Sequence, residues 1–295
     1  MLHRFRYVVV MAVVVASCAG PVDTAPAGVE PLDQVFGNLD PARQAEAMDQ
    51  ARERENLMRG CMAAEGFEYV PYVGTEDTRV GAEVMVRRMR SAVKTADDEF
   101  VRSFGYGSTE MQIRLAAYFA NDPNRVIQDR LGPEEYRVYM ETLTACSVTA
   151  REAYGMGDEV AAAWSTFEEE LADLDRRIVA APEVVDATRE WSRCMAREGY
   201  RFSSLEDPVR EVEERFAGTF EEAYAAGETV GPGNGPPQLA PDVVAGLQAA
   251  EVALAVADAG CRVSTGLAEV LERVRAEMEA RWVAEHGDLL EMIGG

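Results

Sequence analysis

The chain has 295 residues and a formal charge of -23, from 52 acidic against 29 basic side chains. So acidic a body repels a polyphosphate backbone, which excludes nucleic acid as a partner. Its apolar share, 47%, suffices for the cores of one or two domains.

Residues 1–17 read as an export signal, with Arg4 and Arg6 ahead of the apolar run from Tyr7 to Ala16. As a helix, ten residues reach only about 15 Å, half of the roughly 30 Å hydrocarbon core. No later segment is expected to be long and apolar enough to span either. The signal closes on Val15-Ala16-Ser17-Cys18. That pattern resembles the bacterial lipobox, an aliphatic residue and two small ones before a cysteine that takes a diacylglyceryl group. Cys18 is then the lipid attachment site and the bilayer a partner, and the protein is expected to be extracytoplasmic and lipid-anchored. The alternative is an ordinary secretory signal with an unmodified cysteine. Loss of residues 1–17 removes two cations and no acids, leaving 27 against 52, a net of -25. Residues 18–39, with Pro21, Pro26 and Pro31, read as the lipidated flexible tether, its tip packing through Val35 and Phe36.

From Asp40 onward the pattern is helical. Asp40-Pro41 opens a helix that ends at Gly66, with Met48, Ala51, Met58, Cys61 and Met62 on one face. A second runs from Pro182 to Glu198 and ends at Gly199, with Ala187, Trp191, Cys194 and Met195 on its apolar face. The two ends align without a gap, Cys61-Met62-Ala63-Ala64-Glu65-Gly66-Phe67-Glu68-Tyr69 on Cys194-Met195-Ala196-Arg197-Glu198-Gly199-Tyr200-Arg201-Phe202. Five of nine residues are identical and two more exchange aromatics, so the chain contains an internal repeat. A glycine after the last turn closes a Schellman motif and packs the next residue, Phe67 or Tyr200, on Met62 or Met195. Each half then supplies another helix with a second cysteine. One starts at Pro133 and carries Tyr136, Tyr139, Met140, Leu143 and Cys146, and the other at Pro241 with Val243, Leu247, Ala250, Leu254, Ala257 and Cys261. Closing helices are expected from Asp158 to Val179 and from Leu267 to near Gly287.

Cys61, Cys146, Cys194 and Cys261 form an even set in a chain bound for export, where disulfides persist. Pairing Cys61 with Cys146 and Cys194 with Cys261 gives each half the same staple and is favoured. The alternatives join the repeats to each other, or gather the four around zinc, for which the usual C-x-x-C pairs are missing.

The sequence offers little catalytic chemistry. Beyond the signal the one histidine is His286, beside the terminator Gly287, where a helix C-terminus favours partial positive charge. There is no G-x-S-x-G elbow, and the one lysine, Lys94, lacks the setting of a phosphate loop. Acidic runs such as Asp97-Asp98-Glu99 read as solvated helix faces. The richest region is residues 67–139, with ten of the 23 aromatics. There Phe104-Gly105-Tyr106-Gly107-Ser108-Thr109 sets a tyrosine between glycines, letting backbone and ring approach a ligand, a partner or the core. Tyr69, Tyr72, Phe104 and Tyr106 are the candidate binding residues; no catalytic or metal-ligating residue and no cofactor is expected. Gly231 to Pro237 reads as a flexible loop.

C-M-x-x-E-G-[FY], the F-G-Y-G-S-T stretch and Ala255-Val256-Ala257-Asp258-Ala259-Gly260-Cys261 together resemble exported actinobacterial lipoproteins, over most of residues 50–270. That resemblance brings no catalytic residues. The expected protein is an all-α lipoprotein with two related disulfide-stapled helical modules, 40–181 and 182–295. Its expected role is non-enzymatic, as an envelope interaction or scaffold protein, with an envelope protein partner and service to a transporter or cell-wall machinery. A small-ligand binder built on the first module's aromatics and a carboxylate-dependent cell-wall hydrolase are the alternatives.

Overall fold

A computed structural model describes Leu32 and residues 41–74, 98–154, 158–230 and 237–294. The export signal, Cys18, most of the tether with Val35 and Phe36, Lys94 and the loop at 231–236 lie outside the described residues. The described residues form eleven helices and no strand, so the protein is all-α; an isolated antiparallel bridge joins Val230 to Gln238. The helices are α1 (Pro41–Ala64), α2 (Asp98–Phe104), α3 (Ser108–Ala120), α4 (Asn124–Gln128), α5 (Pro133–Glu152) and α6 (Asp158–Val179). They continue as α7 (Pro182–Arg197), α8 (Asp207–Ala226), α9 (Pro241–Ser264), α10 (Leu267–Glu285) and α11 (Gly287–Gly294).

Helix starts follow the prolines. Pro133, Pro182, Pro208 and Pro241 each stand in a first turn, where a missing N–H costs nothing and a fixed φ suits the helix. The two repeat helices end as their glycines dictate. Gly66 and Gly199 have φ of 87° and 96°, and the next amide reaches back, Phe67 N to Met62 O and Tyr200 N to Met195 O, each 2.9 Å. Those are the long bonds of two Schellman motifs. Both methionines are fully buried.

Cys61 is bonded to Cys146 and Cys194 to Cys261, each pair with Cα atoms 5.6 Å apart, which is the same-half pairing favoured above. The bridges close loops of 85 and 67 residues. In the chain-entropy model each restriction of the unfolded chain is worth about 4.5 kcal/mol.

Burial divides into two clusters. The smaller holds Met58, Met62, Tyr139, Cys146 and Ala150 between α1 and α5, closed by Phe67, Ile127 and Leu143. The helices run antiparallel, since Cys61 meets Cys146 while the Tyr154 hydroxyl donates to Glu53. Tyr136, expected on the buried face, is 43% exposed, because that pairing carries it past the end of α1 at Ala64.

The larger cluster draws on both sides of residue 181. Val101, Tyr106, Ala163, Phe167, Leu174 and Ile178 join Trp191, Met195, Leu254, Cys261, Leu271 and Trp282. Helices α2 and α3 pack on α9, and α6 packs on α10 and α11. Leu32 is also fully buried there, so one residue of the segment read as tether lies in the core.

Helix α9 corrects one expectation, since its 24 residues are long and apolar enough, by length and composition, to cross a membrane. One side of it packs against α2, α3, α7, α8 and α10, the disulfide ties it to α7, and Glu251, Asp258 and Arg262 are buried along it.

Candidate functional site

Two polar clusters hold the residues singled out from sequence. The first lies where the turn between α2 and α3 meets α9. Gly105 and Gly107 have φ of 65° and 80°, a left-handed backbone that folds the turn flat onto α9. The first two amides of α3 then point at one carboxylate. Ser108 N donates to Glu251 Oε1 and Thr109 N to Glu251 Oε2, both at 2.8 Å. A buried charge is tolerable here because it meets two unpaired amides at the positive end of a helix.

One helical stretch further along α9, Asp258 gathers three donors: Trp191 Nε1 and Arg262 Nε at 2.8 Å on Oδ1, and the Tyr106 hydroxyl at 3.0 Å on Oδ2. The Arg262 and Asp258 side chains are each 3% exposed. Burial disfavours the Arg262 cation, but the Asp258 charge outweighs it and holds the guanidinium above its ordinary pKa. Burial, then Asp258, drives the Tyr106 phenol well above its usual value. The first half lacks the residues of this network, since the positions matching Trp191, Asp258 and Arg262 by distance from the paired cysteines are Met58, Leu143 and Ser147. Duplicated staples thus stand beside different side chains in the two halves.

The second cluster is a seam of tyrosines in the first half, where residues 67–74 run without helix between α1 and α3–α4. Glu55 Oε2 accepts from the Tyr69 hydroxyl at 2.7 Å and from Tyr72 N at 2.9 Å. Asn124 clamps the strand-like backbone on its other side, accepting from Val70 N and donating to Val70 O, both at 2.8 Å. The Tyr72 hydroxyl donates to the Tyr118 carbonyl at 3.2 Å, and their rings stand 5.0 Å apart. Burial and the charges of Glu55 and Asp122 push Tyr118 up to about 12. Burial and Glu55 raise Tyr69 further, so its phenol stays protonated near neutral pH and donates to Glu55. Helix α3 therefore links the clusters, with Glu251 at its start and Tyr72 at its end.

Tyr69 and Tyr72 thus share Glu55. Tyr106 is buried with its hydroxyl on Asp258, and the partner the glycines let it approach is a helix of its own chain. Phe104 is half-buried beside Phe100, with ring centroids 5.3 Å apart. His286 follows the last residue of α10, stacked on Trp282 at 4.3 Å and 3.5 Å from Glu170. Glu55, Asn124, Glu251 and Asp258 escaped the sequence reading. The last two carried a signal, as acids isolated in an otherwise apolar helix need an internal partner. Among the described residues no group of three or more His, Cys, Asp or Glu could hold a metal ion. No protein-family model matches the chain, and no curated protein or solved structure matches it.

Proposed function

We propose that this is an extracytoplasmic lipoprotein, moored to the membrane through Cys18, whose helical body serves envelope interactions or scaffolding beside a transporter or the cell-wall machinery. The observation that carries the reading is the pair of disulfides closing 85- and 67-residue loops, bonds that persist in oxidising compartments. The export signal and the cysteine at position 18 agree with it. Non-enzymatic action fits the way the buried acids are spent, Glu251 on amides of α3 and Asp258 on Trp191, Tyr106 and Arg262. The deciding experiment is labelling of cells with radioactive palmitate. The native chain incorporates label and sediments with membranes, whereas Cys18→Ala does neither; equal labelling of the two overturns the anchor.

One observation favours small-ligand binding as a second reading. The Tyr69, Tyr72 and Tyr118 seam is only half-buried and offers an aromatic surface beside Glu55. A thermal-shift screen of small cationic and aromatic solutes, repeated on Tyr72→Ala, tests it; no response in the native chain sets it aside.

A further inference from the structure

Between Val243 and Ser264 the only charged residues of α9 are Glu251, Asp258 and Arg262, and all three are buried. The side of α9 turned away from its neighbours therefore carries no charge for about six helical turns, on a chain of net charge -23. Gly246, Ala249, Ala253, Val256, Gly260 and Val263 lie along it, every one exposed, Val256 by 45% and Val263 by 69%. Their steps of three and four residues are the seam spacing of paired helices.

The order of sizes along the seam selects the occupant. Reversal about a point between Ala253 and Val256 sets Gly246 against Val263, Ala249 against Gly260, and Ala253 against Val256. Each valine then faces a residue small enough to receive it, and the backbones can approach closely. A parallel pairing sets glycine on glycine and valine on valine, leaving a gap at one level and crowding at the next. Self-complementarity under a twofold axis is what a symmetric dimer requires. We propose that α9 is the homodimer interface, packing antiparallel on α9 of a second copy of this chain. The contact is free of charge, while the acidic remainder of the two bodies repels, so association strengthens as salt screens that repulsion. The inference names a partner for the interaction role proposed above and does not depend on the lipid anchor.

Site-specific photocrosslinking of the full chain in intact cells, whichever fraction it then sediments with, tests the proposal. A benzophenone at position 253 should give a product of twice the mass containing this chain alone, and one at position 246 should map to the peptide around Val263. Val256→Glu, on an exposed position, should reduce the product at least tenfold while both disulfides still map. For the purified chain, raising salt from 50 to about 500 mM should tighten dimerisation several-fold. Crosslinks from 246 to 246, products with a different protein, crosslinking indifferent to Val256→Glu, or a monomer at every salt concentration would each overturn it. Failure of palmitate labelling leaves these readouts unchanged, so the two proposals fail separately.

Discussion

A Cβ placed on Gly105 would stand 2.7 Å from Glu251 Cγ and 3.1 Å from the Glu251 backbone carbon, although the two residues are 146 positions apart. The turn between α2 and α3 is pressed on α9 at a distance only glycine allows. Gly105→Ala should therefore cost about 2–4 kcal/mol, combining left-handed strain with an overlap that backbone cannot relieve. Gly66→Ala meets open space and keeps only the strain, at about 1 kcal/mol. Urea unfolding of both variants checks the ordering, and equal losses would contradict the contact.

The Asp258 network makes a sharper forecast. Asp258→Leu alone leaves the Arg262 cation buried beside Trp191 and Tyr106 and should destabilise by about 3–5 kcal/mol. Asp258→Leu with Arg262→Met removes both charges and should recover much of that loss. A double-mutant cycle measures the coupling; additive losses would mean that the two side chains do not share a buried pair.

The two disulfides should not be equivalent in their reach. Replacing Cys61 and Cys146 by serine loosens a small cluster built on α1 and α5, whereas replacing Cys194 and Cys261 loosens α7 and α9 at the centre of the larger one. Hydrogen exchange should show the first loss confined to α1, α5 and residues 67–72, and the second spread through α2, α3 and α10. Each bridge removed should cost roughly 2–5 kcal/mol.

Acid should release the start of α8. Burial tends to raise the Asp207 pKa, but hydrogen bonds from Ser203 N and Ser204 N and the contact with Arg210 lower it on balance. A carboxyl depressed on folding stabilises the native state above its unfolded pKa, near 3.9, and that contribution is lost as pH falls through the lower folded value. Exchange protection at residues 203–210 should fall over this window in the native chain. In Asp207→Asn it should be low and flat with pH.

The positions of α1, α5, α6, α7, α9 and α10, the paired glycine terminators and the disulfide partners were legible in one dimension, because proline, glycine and apolar spacing act within a few turns. Helices α2, α3, α4, α8 and α11 were not placed; Asp207-Pro208 and Gly227 mark the ends of α8, but its apolar face reads poorly beside so many glutamates. The tyrosine at position 106 was visible as an oddity, but its meaning required knowing that Asp258 lies across from it.

By itself the sequence determined an all-helical chain with a repeated, glycine-capped and cysteine-stapled unit, since those are consequences of local backbone preference and of symmetry between two halves. Only the tertiary structure decided that α2, α3 and α6 pack with the second half, that Leu32 is interior, and that Glu251 and Asp258, the latter already next to Arg262 on its own helix, are held by donors 67 to 152 residues away. The physical reason is that a buried charge requires a partner and does not specify where in the chain that partner comes from. Three-dimensional packing makes that choice.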